Sequence, residues 1–278
     1  KRAIMTNTSS ATRFLAVDGA RIAYDVTGSG PAVLLLHAGL GDRTMWDAQV
    51  LALGHEFTVI RIDARGFGET RKPPAAYSPV SDALAVLDCL GVAQVHVIGV
   101  SMGSQTAIEL AVVAPDRVAS LVAVAARAGM PVSPELRANW DHVNELYDAG
   151  DIDGANEYEL RMWVDGPRRT PEMIDPAFRE RVRAMNGALL LRDDDEGEEI
   201  ELDPPVRERL GEITAPALIL YGDQDIADVQ QAGPLLAQAI PGARLVVMEN
   251  VSHLPQMEQP EHFNEVVLGF LREATARA

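Results

Sequence analysis

The 278-residue sequence predicts an α/β fold with a mainly parallel sheet. Three observations lead there. Short continuous apolar runs recur along the chain, as in strands covered on both faces. Helical patterns separate most of them, the alternation that builds parallel sheets. One long stretch, 129–211, holds helix signals and no convincing strand, which marks an insertion between two strands of the sheet.

The elements follow in order. Residues 1–12 are expected to be disordered or foreign to the native start: Thr6-Asn7-Thr8-Ser9-Ser10 is polar, no apolar signal core follows Lys1 and Arg2, and Met5 is a candidate start. Runs at 21–26 and 32–36 flank Gly28-Ser29-Gly30-Pro31, which predicts a hairpin. Further strands are expected at 57–62, 95–98, 118–124, 217–221 and 245–248. Helices are expected at 45–53, 81–90, 102–113 and 263–271. Inside the insertion, Ser133-Pro134-Glu135 combines an N-cap, a first-turn proline and a favourable acid, and opens a helix to about Gly150. Residues 155–163 read as helical, and Asp175-Pro176 opens a helix to about Leu191. The acidic run Asp193–Glu199 reads as a solvated loop, since its spacing does not match an EF-hand. This organisation divides the chain into a core of residues 13–128 and 212–278 and a helical insertion of residues 129–211.

Composition narrows the function. With 41 acidic against 24 basic residues, the net charge of −17 repels phosphate backbones and anionic lipid. No nucleic-acid or membrane partner is expected, and no apolar run approaches the ~20 residues that span a bilayer. The single cysteine, Cys89, excludes an internal disulfide and a cysteine-clustered zinc site. It falls in the apolar pattern of 81–90 and is expected to be buried. Such usage fits a cytoplasmic location.

The chemistry centres on Gly99-Val100-Ser101-Met102-Gly103, placed between an apolar strand and a helix. A strand that turns this sharply forces strained geometry on the middle residue and leaves no room for side chains two positions away. The Ser101 hydroxyl is thereby presented at a helix N-terminus. A serine needs a base, and the base an orienting acid. His253 follows the strand at 245–248, on a loop at a strand's carboxyl end, where α/β sheets place their sites. His142 lies in the insertion and His262 in the acidic start of the last helix. Asp223 and Asp225 both follow the strand at 217–221. Asp225 is the expected acid, and Asp223 is expected to hold the turn. The oxyanion of an acyl-transfer intermediate needs two donors. The Met102 N–H is one; the other is assigned to Gly39 N–H, in the loop His37-Ala38-Gly39-Leu40-Gly41. His37 is expected to brace that loop.

With these motifs in order, together with Asp63-Ala64-Arg65-Gly66-Phe67-Gly68, the chain resembles the α/β-hydrolase superfamily from about residue 13 to 275. Its nearest look is to 3-oxoadipate enol-lactonases, small esterases and cofactor-free haloperoxidases. The resemblance implies a mostly parallel eight-stranded sheet, residues 129–211 as a helical cap over the site, and 63–68 as a structural turn. Two departures stand out: Ala38 where the family has glycine, and Ser104 where a third glycine is common. A serine at position 101 argues against the aspartate nucleophile of dehalogenases and epoxide hydrolases.

The expected activity is hydrolysis of a small-molecule ester or lactone through an acyl-enzyme on Ser101. Trp46, Trp140 and Trp163 are candidate apolar walls. Arg127, at the end of the strand at 118–124, is either ion-paired to the cap or a clamp for a substrate carboxylate. Arg168-Arg169 reads as cap surface. Perhydrolysis, C–C bond hydrolysis, and a receptor or silent scaffold on the same fold are the alternatives. No metal or organic cofactor is implied, and a homo-oligomer is left open.

Overall fold

The computed structural model describes residues 11–192 and 197–277. The polar N-terminal run Thr6–Ser10, and Asp193–Glu196 of the acidic run, lie outside these. Thr12, expected outside the fold, is tied into it: its hydroxyl accepts from Arg43 at 2.7 Å and donates to Glu69 at 2.9 Å.

The strands are β1 (Arg13–Val17), β2 (Ala20–Gly28), β3 (Ala32–Leu36), β4 (Thr58–Ile62), β5 (Val95–Val100), β6 (Val118–Val124), β7 (Ala217–Gly222) and β8 (Arg244–Met248). They form one eight-stranded sheet in the order β1-β2-β4-β3-β5-β6-β7-β8. β1 and β2 are antiparallel to their neighbours, and every pair from β4 to β8 is parallel. The helices are α1 (Asp47–Leu53), α2 (Pro79–Cys89), α3 (Met102–Val113), α4 (Pro134–Asp148), α5 (Ile152–Leu160), α6 (Pro176–Leu190), α7 (Ala227–Ala239), α8 (Pro255–Glu258) and α9 (Pro260–Thr275).

The continuous apolar runs have the expected cause. Along β3, Val33 and Leu35 face one core with Trp46, Val50 and Phe263. Leu34 and Leu36 face the other, with Val86, Leu87, Ala107 and Ile108. Both faces are covered, so no alternation survives.

The hairpin expected around Gly28–Pro31 does not form. β2 pairs with β1 and β4, while β3 lies between β4 and β5. The glycines serve a close backbone approach rather than a tight turn: a Cβ on Gly30 would sit 2.2 Å from the Glu56 carbonyl, just before β4. The actual hairpin joins β1 to β2 through Asp18 and Gly19. Cys89 is exposed, not buried. At 100° per residue it lies about 120° from the stripe through Ala83, Leu87 and Leu90.

Between β6 and β7 the described residues carry α4, α5 and α6 and no strand. α4 opens as its residues dictate: the Ser133 hydroxyl accepts from Leu136 N–H at 3.1 Å. α6 opens on Asp175, which accepts from Phe178 N–H at 2.8 Å. After α5 the chain makes a π-helical turn, Arg161–Asp165, ending at Gly166. Among the described residues no helix is long and apolar enough to cross a membrane.

Candidate active site

Ser101 joins β5 to α3 at φ 53°, ψ −114°, a conformation that costs an ordinary residue on the order of 1–3 kcal/mol. The surroundings hold it there. Its N–H donates to the Val124 carbonyl at 2.8 Å, and its carbonyl accepts from the N–H groups of Ser104 and Gln105. A Cβ on Gly99 would lie 2.1 Å from the Gly103 carbonyl oxygen, and one on Gly103 would lie 2.2 Å from that of Leu36. The two glycines are therefore demanded by backbone passing backbone. Ser104 fits without a gap: it is fully buried, and its hydroxyl donates to the Ser101 carbonyl at 2.5 Å.

Three loops at carboxyl ends of strands bring Ser101, His253 and Asp225 into line. His253 Nε2 lies 2.8 Å from Ser101 Oγ, and its Nδ1 lies 2.8 and 3.0 Å from the two Asp225 oxygens. An ionised carboxylate only accepts, so Nδ1 carries the proton and the Nε2 lone pair faces the hydroxyl. Asp225 is fully buried and also accepts from Ile226 N–H at 2.8 Å. Asp223 instead accepts from Asn250 N–H at 2.7 Å and ties the two loops together. His142 and His262 are exposed, on α4 and α9, while His253 is buried in the line.

The Met102 N–H stands at the first position of α3 and has no intrahelical acceptor. Gly39 N–H has no backbone acceptor among the described residues. A Cβ on Gly39 would reach the Met102 sulfur at 4.0 Å, so the two residues are neighbours. His37 braces this loop. Its Nδ1–H donates to the Ala38 carbonyl at 2.8 Å, and Nε2 accepts from Ala64 N–H at 2.9 Å. Burial pushes its pKa down, which favours that neutral tautomer. The 63–68 turn is held by the buried Asp63 carboxylate, which accepts from Arg43 N–H and Glu69 N–H, both at 2.8 Å.

The candidate binding residues separate. Trp46, expected as a pocket wall, is fully buried and packs on Phe263, ring centroids 6.3 Å apart. It is core beneath the site, because the short 3-10 turn Arg43–Trp46 aims it at α9. Trp163 is half-buried, and its ring lies 4.4 Å from the His253 ring. Trp140 is half-buried on α4, with the Arg127 guanidinium 5.8 Å above its ring. Among the described residues Arg127 does not make the ion pair expected as one of its roles. Nη2 donates to the Met130 carbonyl in its own turn at 2.7 Å, and the buried Nε has no partner among those residues. Burial pushes the guanidinium pKa down, partly offset by the charge of Asp228. By contrast Arg43, Arg61, Arg65, Arg169 and Arg179 each bond a carboxylate. A cavity of about 550 Å³ opens between α4, α5 and the start of α7, lined by Leu136, Tyr158, Met162, Ile226 and Asp228.

Arg169, expected as surface, is shielded instead: its side chain is 8% exposed and paired with Glu258. The contact spans 89 residues of chain and leaves no local signal.

Known proteins share this arrangement of sheet and loops. A hydrolase from Burkholderia vietnamiensis, named for 2-hydroxy-6-oxononadienedioate and 2-hydroxy-6-oxononatrienedioate, is 31% identical over 270 residues, covering 91% of each chain. The enol-lactonase of Burkholderia xenovorans superposes with a TM-score of 0.77 at 26% identity, covering 94% of this chain and all of the other. A thermophilic esterase from Thermogutta terrifontis, solved with malate bound, gives 0.77 at 28%, covering 95% and 99%. The family profile for the alpha/beta hydrolase fold matches residues 31–260, taking in the elbow at Ser101 and both loops that face it: the chain belongs to the α/β-hydrolase family.

Proposed function

We propose that the protein is a serine hydrolase that cleaves a carboxylic ester or lactone. The observation that carries this reading is the unbroken line Asp225–His253–Ser101, with both hydrogen bonds at 2.8 Å. Ser101 Oγ attacks the carbonyl carbon while His253 Nε2 takes its proton. Asp225 holds the imidazole and stabilises the imidazolium. The N–H groups of Met102 and Gly39 stabilise the oxyanion. Collapse expels the alkoxide, which takes the proton from His253 and leaves Ser101 acylated; in a lactone the alkoxide stays tethered. His253 then takes a proton from water as its oxygen adds to the acyl carbon; the C–Oγ bond breaks, Ser101 Oγ takes that proton back from His253, and the acid is released. The helices α4–α6 act as a cap, with Trp163 and Trp140 as apolar walls. The test is p-nitrophenyl butyrate turnover with a phosphonate trap. Saturable turnover that vanishes as one phosphonyl group adds to Ser101 supports the reading. Turnover that persists in fully labelled protein, or label on another residue, overturns it.

The same reading assigns Arg127 to a substrate carboxylate. It is a cation taken partly out of water with no carboxylate partner among the described residues, in a chain of net charge −17 whose buried Arg43, Arg61, Arg65 and Arg179 each pair with a carboxylate. The dioate named for the Burkholderia vietnamiensis relative and the malate in the esterase structure are both dianions, in keeping with such a substrate. Arg127→Met is expected to lower kcat/KM for the monomethyl ester of a dicarboxylic acid about 10- to 100-fold. The uncharged dimethyl ester is expected to change less than about threefold. Equal losses on both would remove Arg127 from this role. The name of that relative also favours a second reading, hydrolysis of a C–C bond in an oxo-dienedioate. Cleavage of such a substrate without turnover of any ester would put it first.

A further inference from the structure

We infer that Arg169 is a positioning residue, which locks the cap's π-helical turn to the loop carrying the base so that the two hold one another in register. The inference rests on the role proposed above for His253. The π-helical turn Arg161–Asp165 ends the helix at Gly166, so its last carbonyls have no intrahelical donor, and such turns recur at functional sites. Arg169 collects these groups. Its Nε donates to the Asp165 carbonyl at 2.7 Å and its Nη2 to the Val164 carbonyl at 2.8 Å.

The same guanidinium reaches the base loop. Nη1 donates to the Asn250 carbonyl at 2.9 Å and to Glu258 Oε1 at 2.5 Å. Glu258 Oε2 accepts from Ser252 N–H at 2.9 Å, the residue before His253. Both charged side chains are shielded, 8% and 11% exposed, so the pair is weakly screened. A planar guanidinium suits such multiple, directed bonding, which an ammonium cannot reproduce in full.

Two further ties converge on the same place. The Trp163 carbonyl accepts from His253 N–H at 3.2 Å, and its ring lies against the imidazole. At the turn's end Gly166 presses on the acid loop, where a Cβ would lie 2.2 Å from the Gln224 carbonyl. The turn is itself anchored in the cap: Asp165 is fully buried and bonds Arg179 at 2.8 and 2.9 Å. Directly at Asn250, and through Glu258 at Ser252, Arg169 joins the turn's carbonyls to the backbone on both sides of Val251.

The experiment compares the full chain with Arg169→Gln, Arg169→Lys and Glu258→Gln. It measures kinetics on p-nitrophenyl butyrate, thermal midpoints, phosphonate labelling of Ser101, and the downfield proton resonance of the hydrogen-bonded imidazole. Arg169→Gln is expected to lower kcat about 10- to 100-fold, as a displaced catalytic group does, while KM changes less than about threefold. Its imidazole proton signal broadens or is lost, and Arg169→Lys recovers part of both. Glu258→Gln shows the same kcat-specific loss, and it and Arg169→Lys carry the test if Arg169→Gln does not fold. An unchanged imidazole signal and kcat within about twofold of the parent in the folded variants overturn the inference. A parent that turns over without label on Ser101 refutes the serine reading, and the imidazole signal alone then decides the role of Arg169.

Discussion

Ser101→Ala is expected to lower kcat for p-nitrophenyl butyrate by about five to six orders of magnitude, and Asp225→Asn by about four. The ranking follows from the geometry. Without the Oγ there is no nucleophile, and the 2.8 Å contact to His253 Nε2 disappears. An asparagine at 225 offers an amide N–H where Asp225 only accepts. The imidazole then favours the tautomer with its proton on Nε2, facing the serine hydroxyl, where it cannot act as a base. The two losses are not additive, because both disable one proton transfer. Ser101→Ala/Asp225→Asn is therefore expected to match Ser101→Ala alone. Initial rates of p-nitrophenol release read all three, with circular dichroism to confirm folding. A Ser101→Ala rate within tenfold of the parent would remove Ser101 as nucleophile.

Gly99→Ala is expected to destabilise the fold by about 4 kcal/mol or more, a size reserved for specific steric failures. The added methyl would meet only backbone: the Gly103 carbonyl oxygen at 2.1 Å, its carbon at 2.4 Å and the Ser104 nitrogen at 2.6 Å. No side chain can swing away, so β5 and the first turn of α3 must separate. That turn is pinned in its place, since Gly103 sits against the Leu36 carbonyl. Calorimetry should show a midpoint lower by roughly 8 °C or more. Gly211→Ala is the control, because a Cβ there meets nothing within 4 Å. A Gly99→Ala midpoint near that of Gly211→Ala would show that the elbow tolerates a side chain.

Features with a local physical cause are legible in the sequence. The glycines at 99 and 103 announce a backbone crossing, and the continuous apolar runs announce a sheet covered on both faces. Ser133 and Asp175 each cap the helix that the following proline begins. What depended on distant chain was misread. Gly28 to Pro31 has turn composition, yet β4, entering from 30 residues on, takes the place beside β2. β1 was missed as a strand because only β2 pairs with it and its side chains are partly exposed. Trp46 looked like a pocket wall by position, but the direction of a side chain is set by the turn that carries it. Arg169 gave no sign of its role, because Glu258 and Asn250 come more than 80 residues later.

β6 and β7 pair directly, Leu121 with Ala217 through Val124 with Leu220. The chain between them is thus a detour between adjacent strands, and the sheet would close without it. Lengthening such a detour costs little, since closure entropy grows only logarithmically with loop length. If α4–α6 roof the site as proposed, a lineage built on this plan is free to exchange that roof, and with it the molecules admitted, while inheriting the proposed bond-breaking machinery intact. Arg169 sets the limit on that freedom. It grows from the roof yet grips the floor, so a transplanted roof that lacks an equivalent anchor would arrive with a new chamber and a loosened base.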